Sequence, residues 1–399
     1  MNKEKEENRK VNIGIDIAKH KHVAKISEID NGKQKFLGSA IGFSNSHEGL
    51  QRLLREIRSR TDCTNLVFGM EGTGHYWTCL YWHLNRKGYK AVLLNPKDTH
   101  YYRKALKGRP KTDPIDAAMI AKFMEEKETV LENQKGIDIR LRSFSRAREH
   151  TMKDKKRSKN RIHRIMDILF PEFFRLFGSN KFTKTSVALL KQCPTPREVL
   201  KLGTAKITEI VRKVSRGSLG HELAFKLHQC AISSFGIQQG TEGYELELEK
   251  ELEKLELYEK QVAEIDIYLR KFGGKDIEFL ESIGFGRVTA AGLKAEFGDI
   301  KRFPSVKHIS SYAGFNPSVS QSGEFTGRIT PISKEGNANI RRLLTRSSFR
   351  VAERIPELKG YIARKRAEGK HRKWIRVAVA NKLLRYSYAV LTEQRPFTV

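Results

Sequence analysis

Four acidic residues in the first third of the chain have types and positions that suit metal chemistry. Asp16 lies inside an apolar run, VNIGIDIAK (11–19), where a carboxylate is costly unless it is liganded or paired. Glu71 closes a second apolar run, NLVFGMEG (65–72). Asp113 and Asp116 open TDPIDAAMIAKFMEE (112–126), three residues apart, so on a helix they share a face. Brought together, bare carboxylates repel and raise one another's pKa, a conflict that a divalent cation removes. Mg2+ takes hard oxygen ligands and keeps waters for a substrate. Two such ions can bind the attacking and leaving oxygens of an in-line phosphoryl transfer. Taken singly, Asp113 reads as an N-cap and Glu71 as a strand-end ion-pair partner. A second chemical candidate is Ser322, in the loop stretch SVSQSG. A serine beside a glycine, followed by basic residues, could attack a phosphodiester while Arg or Lys stabilises the charge. By composition alone a Ser-Gly pair in a loop is an ordinary turn, and Ser318 and Ser320 fit equally well.

The elements that must position these residues follow from periodicity. Residues 11–19, 22–29 and 35–43 read as three strands, close enough for hairpins. Helical spacing runs from Ser46 to Arg60, then comes the strand 65–72, and then a helix from Tyr76 to Lys87 that Gly88 can cap. The strand 89–96 stops at Pro96. The helix from 112 has Asp113 at its N-cap and Pro114 at N1. This order is that of a ribonuclease-H-like α/β domain with a mixed sheet. In such a sheet the strands of Asp16 and Glu71 are parallel neighbours, so the carboxylates converge if the helix from 112 packs beside their ends.

The character changes after about residue 135. Residues 140–164 carry eleven Lys or Arg against two acids and read as a long basic helix. Residues 195–214 form a small helical insert. Residues 242–269 form an acidic helix whose apolar positions, from Leu248 through Leu252 and Leu255 to Leu269, advance in steps of three and four. That is the seam of a coiled coil or helical hairpin with its charges outward, made with the basic helix or with another subunit. FGGK (272–275) is a joint. The Gly284-Phe285-Gly286 turn between helical stretches offers backbone N–H groups to a phosphate, or is a plain packing turn. A helix begins near Asn337 and carries Arg341, Arg342 and Arg346. Trp374 and Tyr386 read as core residues of the last helix rather than as base-stacking platforms. The expected division is 1–135, an α/β catalytic domain; 136–271, a helical, coiled-coil middle; and 272–399, a mainly α C-terminal domain.

The 399 residues carry a net charge of +30, and residues 301–399 hold half of it, with 21 Lys or Arg and 6 Glu. A surplus this large points to a polyanionic partner, nucleic acid first. An anionic membrane would want an apolar anchor or a lipidation signal, and neither is found. Cys63, Cys79, Cys193 and Cys230 form no CxxC pair, so no zinc site or disulfide frame is signalled. The charged start, MNKEKEENRK, is no secretory signal, so a cytoplasmic protein is expected.

The chain resembles the DEDD transposases of the insertion sequence 110 family along nearly its whole length. GIDIAK (14–19), MEGTG (70–74) and KTDPIDA (111–117) resemble the three blocks of that family's RuvC-like domain. SYAGFNPSVSQSG (311–323) and ISKEGNANIRRLL (332–344) resemble its C-terminal transposase domain. The resemblance implies Asp16, Glu71, Asp113 and Asp116 as Mg2+ ligands, and Ser322 as the nucleophile that joins DNA covalently, with Ser320 the other register. It implies double-stranded donor and target DNA, and a structured bridge RNA that pairs with both while the protein reads backbone and shape. It also implies dimers that assemble into a tetramer, an active site shared between subunits, and a nucleoid-associated protein of a bacterium or archaeon. A RuvC-like hydrolytic nuclease, such as a junction resolvase, would use the same acids with water but leaves the C-terminal blocks unexplained. In a non-catalytic scaffold the charge would matter and the acids would not. The middle region, with its insert near 180–240, shows no chemistry of its own.

Overall fold

The computed structural model describes residues 9–30, 33–72, 74–94, 96–106, 112–126, 138–317, 321–322, 325–326 and 331–398. The chain divides into two compact units, Met1–Ile137 with Gly298–Pro304, and Asp138–Phe297 with Ser305–Val399.

The first unit is built on a mixed sheet. Its elements are β1 (Val11–Asp16), β2 (Lys21–Asp30), β3 (Lys33–Phe36), β4 (Ile41–Ser44), α1 (His47–Arg58), β5 (Leu66–Glu71), α2 (Trp77–Arg86), β6 (Lys90–Leu94), α3 (Pro96–Ala105) and α4 (Asp113–Glu126). The strand order is β3-β2-β1-β5-β6, with β4 also on β2. β1 runs antiparallel to β2 and parallel to β5, and β5 runs parallel to β6. Both faces of β1 and β5 are covered, which is why their sequences are nearly continuous in apolar and small residues. Val11, Ile13 and Ile15 enter one core with Phe68, Met70, Leu53 and Leu84. On the opposite face Val67, Val92 and Leu94 pack against Met119, Ile120, Phe123 and Met124 of α4.

Three details differ from the sequence reading. The expected third strand is two short ones, which pair with successive halves of β2. The break falls at Gly38, whose φ of 70° is open to glycine and strained for other residues. Pro96 does not end a strand but begins α3, because its fixed φ and missing N–H suit the first turn of a helix. Asp113 is already helical rather than the N-cap, since the Asp116 amide donates to the Thr112 carbonyl at 2.9 Å.

Helices dominate the second unit: α5 (Ile139–Leu169), α6 (Lys184–Gln192), α7 (Pro196–Ser215), α8 (His221–Ile232), α9 (Glu242–Lys271), α10 (Lys275–Ser282), α11 (Arg287–Phe297), α12 (Val306–Ala313), α13 (Ala338–Ala352), α14 (Pro356–Ala367) and α15 (Arg372–Glu393). A small hairpin joins β7 (Gln321–Ser322) to β8 (Phe325–Thr326). The basic α5 and acidic α9 pair with each other, antiparallel. Arg164 meets Glu247 at 2.6 Å, Lys155 meets Glu259 at 2.8 Å, Arg148 pairs with Asp266, and Phe144 stacks on Tyr268. The seam residues Leu248, Leu252, Leu255 and Leu269 are buried as their spacing predicts. The charges are not all outward, however. Glu251 is buried in the seam, held by Arg161 and Lys254 at 2.9 Å each. The insert α6–α8 closes one end of this pair: Phe173, Leu189, Val199, Ile207 and Leu227 share a core with Ile162, Leu248 and Leu252. The helical insert expected over 195–214 is α7, kinked at Gly203, where φ is 75°. Trp374 corrects another expectation. It is 48% exposed, because Ile375, Val379 and Leu383 take the inward face of α15. Among the described residues no helix is long and apolar enough to cross a membrane.

Candidate active site

Side chains alternate along a strand, so Asp16 shares a face with Gly14, and Glu71 with Gly69. That is the face covered by α4. A Cβ at Gly14 would collide with the backbone of Ala117 and Ala121, and one at Gly69 with the side chain of Met124. The two glycines therefore let α4 lie against the backbone of the central strands. Ile15 and Met70 are register partners, which leaves Asp16 and Glu71 together at the carboxyl ends of adjacent parallel strands. In open α/β sheets that end is where ligands bind. Asp113 and Asp116 lie in the first turn of α4, just before the Ala117 that sits on Gly14.

The electrostatics agree with this placement. Burial pushes the Asp16 carboxyl up to about 6; the negative charges of Asp116, Asp113 and Glu71 push it the same way, against a smaller opposing pull from Arg103. The four acids are thus close enough to feel one another. They do not converge on a common point: among the described residues no group of three or more His, Cys, Asp and Glu side chains has metal-holding geometry. Two residues of α3 engage them instead. Arg103 pairs with the buried Asp116 at 2.6 Å, and the Thr99 hydroxyl donates to Glu71 at 3.0 Å. Sequence reasoning missed both residues, because α3 went unread. Pro96 at its start, Asp98 in its first turn and Arg103 and Lys104 in its last are the signals that could have revealed it. The donors, on two strand ends and one helix, are all oxygens, the ligand type that hard divalent cations take, without the convergence that would hold one here.

Ser322 belongs to the second unit, where its backbone pairs with Phe325 in the β7–β8 hairpin. Ser318, Ser320 and Gly323 lie outside the described residues. The stretch between α12 and α13 is fastened at its base. Pro317 bridges Ile332, the Ser333 amide donates to the Asn316 carbonyl at 2.7 Å, and the Asn337 amide donates to the Tyr312 carbonyl at 2.7 Å. Gly336, at φ 145°, permits this closeness, since a Cβ there would collide with the Tyr312 carbonyl. Asn337 caps α13 through the amides of Asn339 and Ile340, and its side-chain NH2 donates to Glu296 at 2.8 Å. Glu296 is fully buried and also accepts from Arg146 at 3.1 Å and Asn339 at 3.0 Å. Burial works to raise its carboxyl pKa, but Arg146, Arg142 and Asn337 outweigh burial and hold it below the ordinary value. Glu296 therefore ties α5, α11 and the start of α13 into one anchor. Of the arginines expected on α13, Arg341 donates to the Ala313 carbonyl at 2.7 Å and Arg342 pairs with Glu149 at 2.9 Å, while Arg346 is exposed. A Cβ added at Gly284, in the turn between α10 and α11, would meet Val351 and Arg354 at the end of α13 in ordinary van der Waals contact.

Comparison with known proteins places the chain among transposases. A DEDD transposase model of the insertion sequence 110 type, described as a transposase, matches residues 13–171. A second model, described as the transposase IS116/IS110/IS902 family, matches residues 278–363. The chain is 25% identical to the pilin gene-inverting protein of Moraxella bovis, covering 97% of this chain and 98% of that protein. It is 23% identical to the insertion element IS900 uncharacterized 42 kDa protein of Mycobacterium paratuberculosis, covering 95% of each. It is 26% identical to the insertion element IS110 uncharacterized 43.6 kDa protein of Streptomyces coelicolor, covering 72% of each. The two models together span more than half of the chain, the first ending just past α5 and the second covering the hairpin of Ser322, and the chain belongs to the IS116/IS110/IS902 family of transposases.

Proposed function

We propose that this transposase is an RNA-guided serine recombinase, which cuts and rejoins donor and target DNA through metal-bound carboxylates and a covalent serine–DNA link. The observation that carries the reading is the pair Asp16 and Glu71 at adjacent parallel strand ends, with Asp113 and Asp116 brought to them by a helix seated on Gly14 and Gly69. It supports a ribonuclease-H-like, RuvC-like fold for the first domain. The α5–α9 pair supports a coiled-coil middle, within the three-part division 1–135, 136–271 and 272–399.

Asp16, Glu71, Asp113 and Asp116 would hold Mg2+, which supplies positive charge to phosphate oxygens as bond order shifts from one to another. The Thr99 hydroxyl orients Glu71, while Arg103 pairs with Asp116 as the cation that a metal would displace. Ser322 Oγ forms a bond to phosphorus as the phosphorus–oxygen bond to the deoxyribose breaks. The serine proton leaves to a base, and the departing sugar oxygen becomes a hydroxyl. A sugar hydroxyl of the second duplex then attacks the serine phosphodiester, which restores the DNA bond and frees the serine. This sequence conserves phosphodiester bonds and needs no external energy source. The same economy suits the inversion of a pilin gene named for the Moraxella relative, since inversion requires every cut end to be rejoined.

The charge of +30 supports a second nucleic acid, a bridge RNA that reads sequence by pairing. Leu246, Leu257 and Ile267, exposed on α9, support a dimer seam there, two dimers forming the tetramer in which one subunit's carboxylates meet another's serine. The setting is the nucleoid of a prokaryotic cell. A recombination assay tests the reading: paired plasmids carrying donor and target sites, the RNA encoded beside the gene, and Mg2+. Junction products are expected from the wild type and not from Asp16→Asn, Glu71→Gln or RNA-free reactions. Junctions formed without the RNA would remove guidance from the proposal, and junctions formed by Asp16→Asn would remove the metal site.

A further inference from the structure

Between Arg364 and Arg376, where α14 gives way to α15, the sequence RKRAEGKHRKWIR holds seven Lys or Arg and one acid. That acid, Glu368, is already taken by Lys365 at 2.7 Å. Arg364, Arg366, Lys370, Arg372 and Lys373 are exposed, and none has an ion-pair partner among the described residues. In their midst Trp374 stands 48% exposed although its neighbour Ile375 is buried. Indole is usually among the better-buried side chains, and cations line the aromatic rings of this surface. Lys370 approaches the Trp374 ring at 5.8 Å, Arg364 and Lys382 approach Tyr361 at 5.7 and 4.8 Å, and Arg372 and Arg376 approach Phe349 at 5.6 and 5.1 Å.

An exposed indole with Lys370 over its ring, in a stretch rich in cations that have no ion-pair partner among the described residues, is poorly matched to the apolar core of a protein interface, which is depleted of charge. A polymer with both regular negative charge and exposed aromatic faces matches it. Bases within a duplex hide their faces in the stack, whereas unpaired nucleotides present them to aromatic side chains. From the exposed Trp374, with Lys370 over its ring and the exposed Arg372 and Lys373 preceding it in the chain, we infer a binding surface for an unpaired nucleic-acid strand, one base stacking on the indole while the cations track its phosphates. The inference rests on the action of this family on nucleic acid. It is independent of the metal and of Ser322, so its failure and theirs are separable.

The test uses the full chain with Asp16→Asn to prevent cutting. Fluorescence anisotropy is read with a single-stranded DNA of about 12 nucleotides, an RNA of the same sequence, and the matching DNA duplex, a length within the usual single-strand site size. Trp374→Ala is expected to weaken single-strand binding about tenfold, and Trp374→Phe to stay within about twofold, as loss of one stacked base predicts. Duplex binding should change less than about twofold. The strand that shows the loss, DNA or RNA, identifies the source. Replacing Lys370, Arg372 and Lys373 by Gln should flatten the single-strand salt slope by about 2, at about 0.7 per phosphate contact. A Trp374→Ala loss below about threefold on both strands, or an equal loss on the duplex, overturns the inference. Because the indole is exposed, unchanged thermal melting checks that the variants fold.

Discussion

Asp16 combines burial with three negative neighbours and so keeps its proton to about pH 6, while an unfolded aspartate releases it near pH 4. The metal-free folded protein therefore binds more protons than the unfolded chain between these values, and its stability falls as pH rises through them. For a half-buried, solvent-screened carboxylate the expected loss is about 1 kcal/mol. Asp16→Asn should abolish this slope in thermal melts. A divalent cation needs the deprotonated form, so Mg2+ should raise the melting temperature more at about pH 7.5 than at about pH 5, and should do so in the wild type only. Equal Mg2+ stabilisation of Asp16→Asn would place the ion elsewhere. Arg103 competes for the same charge, since its guanidinium holds Asp116 at 2.6 Å. Arg103→Gln is expected to tighten Mn2+ binding severalfold by calorimetry, in line with the release of a partly exposed ion pair worth up to about 1 kcal/mol. Weaker binding would make Arg103 a support for the metal ligands rather than their resident cation.

At the scale of elements, the site depends on how closely α4 approaches β1 and β5. Gly14→Ala places a methyl group against the backbone of Ala117 and Ala121, and overpacking of this kind costs about 1–3 kcal/mol. The variant should melt lower and lose Mg2+ stabilisation together, because moving α4 carries Asp113 and Asp116 away from the strand ends. Unchanged metal response in a destabilised Gly14→Ala protein would show that the ligands do not depend on this contact. In the second unit, Glu296→Ala removes the acceptor shared by Arg146, Asn337 and Asn339. Breaking a buried charge pair costs about 3–5 kcal/mol, so a large drop in chemical-denaturation stability is expected. A loss under about 1 kcal/mol would mean that the arginines find water instead.

These elements differ in how openly the sequence displays them. Alternation in VNIGIDIAK and the apolar run ending at Glu71 made β1, β5 and their carboxylates readable, because both depend on local period and not on distant contacts. The steps of three and four in α9 revealed its seam, and the opposite charge of residues 140–164 suggested its partner. The anchor at Glu296 was not readable: a glutamate late in a helix looks like surface until partners up to 150 residues away are brought to it. Trp374 misled for the converse reason, since an aromatic in an apolar-faced helix reads as core and only packing shows which face it takes. Thr99 and Arg103 were hidden by a proline that ends strands as readily as it starts helices.

Over the whole molecule, charge is sorted rather than spread. Glu247, Glu251, Glu259 and Asp266 of α9 are paired with the basic α5, and residues 301–399 carry a net +15 from 21 Lys or Arg and 6 Glu. Polynucleotide binding should accordingly weaken steeply with salt, each neutralised duplex phosphate adding about 0.9 to the log–log slope. A flat salt dependence would contradict a role for this surplus in holding DNA or RNA.

The covalent link between Ser322 and DNA is the central claim, and a denaturing gel tests it most directly. Protein, the RNA from its element, labelled donor and target DNA and Mg2+ are combined, and label that travels with the protein is measured. The account predicts a protein–DNA adduct in the wild type that maps to Ser322 and is absent in Ser322→Ala, in Asp16→Asn and with a chelator. Free cleaved ends without an adduct, undiminished in Ser322→Ala, would contradict it and make the protein a hydrolytic nuclease that uses water in place of the serine.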